Sequence, residues 1–250
     1  MPHPGNAGRA AAFGAVTNGY TGQPFRGEGP GAQTRDGCSV ELYRRLPYAG
    51  EVELIEPWIA GPRILELGCG VGRLTKRFLE RGYDVTAVDN APEMLEFVPR
   101  EATTVCSDIE HLALDAHFDA VILASNLINV PSVAQRSAFL EACHRHLRRG
   151  GALLFQHYDP AWMETAAIGP AGQLGEVHVH IDRLERYPDH VEMSLRFCCG
   201  TQVWLHHFAA IALDDGQLRA AVVEAGFEPP SWIDRCWGSA VRSDLSGPHA

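Results

Sequence analysis

The chain has 250 residues, with 31 acidic against 21 basic side chains and a formal charge of −10. That field repels phosphate backbones and anionic lipid, so no nucleic-acid partner is expected, and the length suits one α/β domain with decorations rather than two independent cores. No run approaches the roughly 20 apolar residues of a membrane span, and the start Met1-Pro2-His3-Pro4-Gly5 lacks the parts of a signal peptide. A cytoplasmic protein without membrane contact is therefore expected. Seven scattered cysteines without a C-x-x-C pair predict neither a disulfide framework nor a zinc site.

In chain order, residues 1–36 are rich in Gly, Pro, Asn and Ala and read as a flexible arm or lid, with Tyr20, Phe25 and Arg26 as anchors. Residues 37–250 read as a single domain. Residues 40–59 carry a helical apolar pattern broken at Pro47 and Gly50. Strand and helix signals then alternate, which favours a parallel sheet covered on both faces. The strands are 64–67, 84–88, 103–106, 118–124 and 152–156, the fourth continuously apolar as a sheet-interior strand should be. Helices are expected over 71–80, from Asn90 as a cap with Glu93 completing a capping box, and over 133–147.

Beyond His157 the pattern changes to runs over 176–184, 191–198 and 202–213, as in an antiparallel meander. Residues 160–213 are expected to form an insertion roofing a substrate cleft. Asp214 and Asp215 cap a further helix that Gly226 ends, and 227–233 and 237–241 are the last two strands.

The run Glu66-Leu67-Gly68-Cys69-Gly70-Val71-Gly72 places a glycine-rich turn between a strand and a helix, where the missing Cβ atoms let a ligand approach the backbone. A dinucleotide site has G-x-G-x-x-G or A, whereas here the third glycine is Gly72 and the dinucleotide position holds Arg73. The spacing disfavours a dinucleotide. Asp89, at the end of the second strand, suits two ribose hydroxyls. Asp108, after the third, suits an adenine amino group, with a backbone N–H for the ring nitrogen.

Ile64 to Gly72, Asp89-Asn90-Ala91-Pro92-Glu93-Met94-Leu95 and Asp108-Ile109, in this order and spacing, resemble the class I S-adenosylmethionine-dependent methyltransferases over roughly residues 60–157. The resemblance implies a Rossmann-like sheet of seven strands, the last antiparallel, with the site at the strands' carboxyl ends. It implies S-adenosyl-L-methionine as cofactor and S-adenosyl-L-homocysteine as product. Glu66 and the backbone of Gly68, Cys69, Gly70 and Gly72 would then face the methionine part, Asp89 the ribose, Asn90 and Met94 the adenine surroundings, and Asp108 and Ile109 the adenine edge. Ser125 joins this set from the fourth strand's end. Arg35 and Tyr43 are expected to close over the methionine carboxylate and the sulfonium. Ala91 stands where the family often has serine, and Arg149-Gly150-Gly151 replaces its usual Pro-Gly-Gly.

The acceptor is less legible. After the fourth strand the chain has Ala124-Ser125-Asn126-Leu127-Ile128-Asn129-Val130-Pro131 in place of the Asp/Asn-Pro-Pro-aromatic motif of base and amide methylators, and no magnesium-chelating acidic pair is recognisable, so no metal is expected. A small-molecule acceptor of secondary metabolism, methylated on nitrogen or oxygen, is the leading reading. A protein acceptor, or a cofactor-binding protein that does not methylate, stands second. The layout looks like that of natural-product sugar N-methyltransferases. His157, ending the fifth strand, and His178 and His180, alternating along one strand face, are the candidate bases, with His206 and His207 ranked below them. Trp162, Phe197 and Trp204 read as cleft lining or as core or dimer contacts, which leaves a homodimer open.

Overall fold

A computed structural model describes residues 25–243. Tyr20 and most of the 1–36 arm lie outside the described residues.

The elements run β1 (Phe25–Glu28), α1 (Val40–Arg45), α2 (Glu51–Ile55), β2 (Arg63–Leu67), α3 (Arg73–Glu80), β3 (Asp84–Asp89), α4 (Pro92–Leu95), β4 (Thr103–Cys106) and β5 (Phe118–Leu123). They continue with α5 (Val133–His146), β6 (Leu147–Gln156), α6 (Pro160–Thr165), β7 (Gly169–Leu174), β8 (Val177–Arg186), β9 (Val191–Cys199), β10 (Gln202–Ala210), α7 (Asp215–Glu224), β11 (Ser231–Trp232) and β12 (Trp237–Val241).

Seven strands form one sheet in the order β11-β12-β6-β5-β2-β3-β4. Its centre is parallel, and β12 runs antiparallel between β6 and β11. The middle strands are buried on both faces, which explains the continuous apolar run Ala120-Val121-Ile122-Leu123. One face packs Leu65, Leu67, Val121, Leu123 and Phe155 against α5 and α7. The other packs Ile64, Ile122 and Leu154 against α2 and α3. Because alternate residues of each strand serve opposite faces, every strand end presents one side chain to each layer.

The second sheet is antiparallel, ordered β1-β10-β9-β8-β7. β1, from the stretch read as arm, pairs with β10, Phe25 opposite Phe208 and Glu28 opposite Leu205. The inward face of this sheet packs Val177, Phe197 and Trp204 on Leu42 of α1 and on Leu46 just after it. Farther along, Ile181, Met193 and Phe208 pack on Met163, Tyr158 and Trp162. Asp214 caps α7, as the sequence predicts, and does so through a full capping box with Gln217, while Asp215 is the first residue of the helix. Asn90 does not cap: the residue before α4 is Ala91, with no side-chain bond to the helix, because the Asn90 amide bonds elsewhere.

Candidate functional site

The loop from β2 to α3 has left-handed glycines at Gly68 (φ 69°), Gly70 (φ 55°) and Gly72 (φ 77°). A Cβ on Gly68 would lie 2.7 Å from Leu127 Cδ1, and one on Gly72 3.2 Å from Val98 Cα, so space is tight, and the left-handed conformation favours glycine at both. Cys69 N–H donates to Val88 O at 3.0 Å and ties the loop to β3. The Cys69 side chain packs in the core, and burial pushes its thiol far above the ordinary range, leaving its backbone as the part that faces the loop.

Asp89, ending β3, closes this loop. Its Oδ2 accepts from Gly70 N–H at 2.7 Å and its Oδ1 from Ala91 N–H at 3.0 Å. Burial pushes this carboxyl's pKa up while the two backbone donors pull it down. Glu66, one residue before the end of β2, is only 2% exposed and accepts from Thr75 Oγ1 of α3 at 2.5 Å. Burial raises its pKa to about 7, with the Thr75 bond and Arg73 opposing and Asp89 reinforcing.

At the far side of Asp89, Asn90 Nδ2 donates to Asp36 Oδ2 at 2.9 Å and to Asp108 Oδ1 at 3.1 Å. Arg35 Nη2 also donates to Asp108 Oδ1. The structure therefore places Arg35 with Asp108, beyond β4, and not at the methionine end where the sequence reading puts it. A guanidinium with an ionised carboxylate next to it takes the nearest strong acceptor. Ile109 is buried in the layer beneath α5. Met94 packs with Val40, Ala91 and the flanking Tyr43 and Val71. Tyr43 lies over the glycine loop, its Cδ1 4.0 Å from where a Gly70 Cβ would stand. The Tyr43 phenol is pushed well above its ordinary pKa by the neighbouring Cys38 thiol and by burial, with Tyr158 and Asp89 adding to the shift.

Just beyond β5, Ser125 and Asn126 both have φ 56°, a strained conformation for residues with side chains. Ser125 N–H donates to Gln156 Oε1 at 2.8 Å, which pins the turn to the end of β6, and Leu127 then covers Gly68. Tyr158, two residues beyond β6, stacks between Trp162 (centroids 5.9 Å) and Phe208 (6.3 Å). Its N–H donates to Asn129 Oδ1 at 3.1 Å, and Asn129 Nδ2 donates to Ile211 O at 2.8 Å, so this residue is fixed from both sheets. Burial pushes the Tyr158 phenol up to about 12, against a smaller opposing pull from the Asn126 side chain. The sequence reading missed Tyr158, although its place just after a strand's carboxyl end was the available signal.

The three candidate histidines are not gathered here. His157 is 2% exposed and packed on Phe155 (6.1 Å) and Trp232 (5.4 Å), in the layer behind the sheet. Its Nδ1 lies 3.0 Å from Tyr158 O, and its Nε2 has no partner among the described residues. His178 and His180 alternate with buried Val177 and Ile181 and so lie on the outer face of the second sheet, where His180 Nδ1 pairs with Asp182 at 2.8 Å. The inward-facing histidine is His206, 3% exposed, stacked on Tyr43 at 6.1 Å and tilted against the Phe197 ring at 5.1 Å. Its Nε2 lies 3.3 Å from Ser39 Oγ, which donates to Gln33 Oε1 at 2.8 Å, and burial lowers its pKa to about 4. Trp204 and Phe197 belong to the core of the second sheet, while Trp162 stands in the aromatic stack.

An open α/β sheet with a glycine turn and an acidic strand end at its carboxyl edge has the geometry of a nucleoside-binding fold. Residues 64–151 match the family described as methyltransferase domain. The ubiquinone biosynthesis O-methyltransferase of Xanthomonas oryzae pv. oryzae is 34% identical over 122 residues, 44% of this chain and 50% of that protein. The cypemycin N-terminal methyltransferase of a Streptomyces species is 31% identical over 144 residues, 52% of this chain and 59% of that protein. The chain thus spans about half the length of these curated relatives. The sugar N-methyltransferase KedS8 from Streptoalloteichus superposes with a TM-score of 0.63 at 21% identity, over 86% of this chain and 98% of that one. The chain has the methyltransferase fold.

Proposed function

We propose that the protein transfers the methyl group of S-adenosylmethionine to a nitrogen or oxygen of a small molecule, with no metal. The observation that carries this reading is the Asp89 carboxylate bound to Gly70 N–H at 2.7 Å beside three left-handed glycines. The residues fit that cofactor. Side-chain-free backbone lines the loop, an acidic group terminates β3 and another follows β4, and no dinucleotide spacing is present. When bound, the cofactor supplies an electrophilic methyl carbon on a sulfonium.

The chain's own work is alignment and exclusion of water. Tyr43 and Leu127 both cover the glycine loop, and Tyr158, held in its stack with Trp162 and Phe208, is close enough to Tyr43 to act on its phenol. The second sheet acts as a roof over an acceptor between them, residues 37–250 working as one domain and 160–213 as its insertion. Both phenols stay protonated at neutral pH, so this wall offers hydrogen bonds rather than a base. That favours nitrogen, since a neutral amine attacks without first losing a proton. The names of the relatives, an O-methyltransferase, a peptide N-terminal methyltransferase and a sugar N-methyltransferase, support a range of acceptors compatible with this reading. Among the described residues no helix is long and apolar enough to cross a membrane.

Calorimetric titration with S-adenosylmethionine and S-adenosylhomocysteine tests the cofactor; absence of micromolar binding of either refutes it. Incubation with methyl-labelled donor and small-molecule extract of the producing cell then tests the acceptor class. Label appearing only in protein overturns the small-molecule reading.

A further inference from the structure

The turn over residues 33–39 is built as a strap between the second sheet and the end of β4. Thr34 N–H donates to Cys38 O at 2.9 Å, Gly37 N–H to Thr34 O at 2.8 Å and Cys38 N–H to Thr34 Oγ1 at 2.9 Å, so the turn is closed on itself. Its base is tied to the second sheet, where Trp204 Nε1 donates to Pro30 O at 3.0 Å and Ser39 joins His206. Its tip holds Arg35 and Asp36, and both reach the ends of β3 and β4.

There the hydrogen bonds are asymmetric. Arg35 and Asn90 both donate to Oδ1 of Asp108, and Arg35 also lies 3.5 Å from Asp36. Oδ2 receives neither donor; among the described residues the exposed His111 ring stands near it, its Nδ1 3.9 Å away. An ionised carboxylate accepts on both oxygens, and fixing one leaves the other aimed in a single direction. Arg35 and Asn90 hold this carboxyl below its ordinary pKa, so it stays charged throughout the working range.

Resting on the cofactor reading above, we infer that Arg35 is a positioning residue: it fixes Asp108 so that its free oxygen accepts the exocyclic amino group of the adenine, and thereby sets the preference for adenine over a base bearing a carbonyl there. Arg35 touches no reacting atom. It acts through Asp108, and because it rides on the strap it links recognition of the base to the seating of the roof.

The test compares two probes, S-adenosylhomocysteine and its inosine counterpart, in which a ring carbonyl replaces the amino group. Each is titrated into the full-length wild type and into Arg35→Ala. Arg35 is exposed, with 64% of its side chain accessible, so the variant should fold as the wild type does. The wild type should prefer the adenosine probe. Arg35→Ala should lose roughly fivefold of that preference, the value of an exposed ion pair, through weaker adenosine binding with the inosine probe unchanged. Asp108→Asn should erase the remainder. An unchanged ratio, equal weakening of both probes, or tighter adenosine binding by Arg35→Ala would overturn the assignment, the last because it would make Arg35 a competitor for Asp108. If the wild type binds neither probe, the cofactor reading fails, and this inference with it.

Discussion

Glu66→Gln should stabilise the protein, by an amount that grows with pH. The carboxyl is buried under α3 with a single side-chain donor, Thr75, and burial carries its pKa from an ordinary 4.5 to about 7. Between those values the unfolded chain releases the proton while the folded chain keeps it, so rising pH favours unfolding. The interval corresponds to about 3 kcal/mol, lost progressively from pH 4.5 to about 7 and constant above. Glutamine keeps the shape and an oxygen for the Thr75 hydroxyl but does not titrate. Urea unfolding of the ligand-free proteins at pH 5, 6, 7 and 8 gives the difference directly, and other titrating groups cancel between them. The variant should gain little at pH 5 and about 3 kcal/mol at pH 8. A difference that does not change with pH would refute the reasoning, because it would show that Glu66 ionises in the fold as it does in water.

Asp89→Asn presents an amide N–H to one of two backbone donors that now meet a carboxylate oxygen, at Gly70 and Ala91; stability should fall by about 1–3 kcal/mol and S-adenosylhomocysteine affinity by at least about tenfold in calorimetry, while undisturbed affinity would misplace the site. His157→Phe removes Nε2, which has no partner among the described residues, together with Nδ1, which lies 3.0 Å from Tyr158 O; the two effects oppose, so thermal stability should change by less than about 1 kcal/mol with methyl transfer unchanged, and a folded variant that binds cofactor and has lost turnover would reinstate the imidazole as a base. Tyr158→Phe preserves the stack with Trp162 and Phe208 but deletes the hydroxyl. Turnover should drop about tenfold with cofactor affinity intact, and equal turnover would remove the phenol from the acceptor site.

The parallel sheet was legible because its central strands β2, β5 and β6 are largely apolar and its turns carry glycine, signals that come from burial and backbone conformation within a few residues. The capping box of α7 is local in the same way. What escaped depended on distant partners. Asn90 had the chemistry of a cap, but Asp36 and Asp108, remote in sequence, claim its amide. β7, within the 160–213 insertion, is given no element of its own by the sequence reading; it contains Gly169, Pro170 and Gly172, and it is a strand because an edge position tolerates proline and its pairing with β8 shifts register between Pro170 and Gly172. α6 did carry a local signal, Asp159 before Pro160, and the Asp159 carboxylate accepts from Ala161 N–H at 2.9 Å.

The histidines show why alternation alone misleads about a roof. Period-two patterning on β8 separates Val177, Val179 and Ile181 from His178, His180 and Asp182, yet it does not say which face looks inward. Assigning the polar face to the cleft supposes that a substrate site must be lined by polar groups. A roof packed on α1 and α6 buries its apolar face instead, as Val177 and Ile181 show, and ligand sites are mostly apolar with few polar groups. The informative residue is then a polar side chain interrupting the apolar face. On β10 that pattern is Trp204, His206, Phe208, and it selects His206, the histidine that stacks on Tyr43 over the glycine loop. Its low pKa makes it neutral at pH 7, so a role at the acceptor would be as a hydrogen-bonding partner to a neutral group, the same constraint that the two phenols impose.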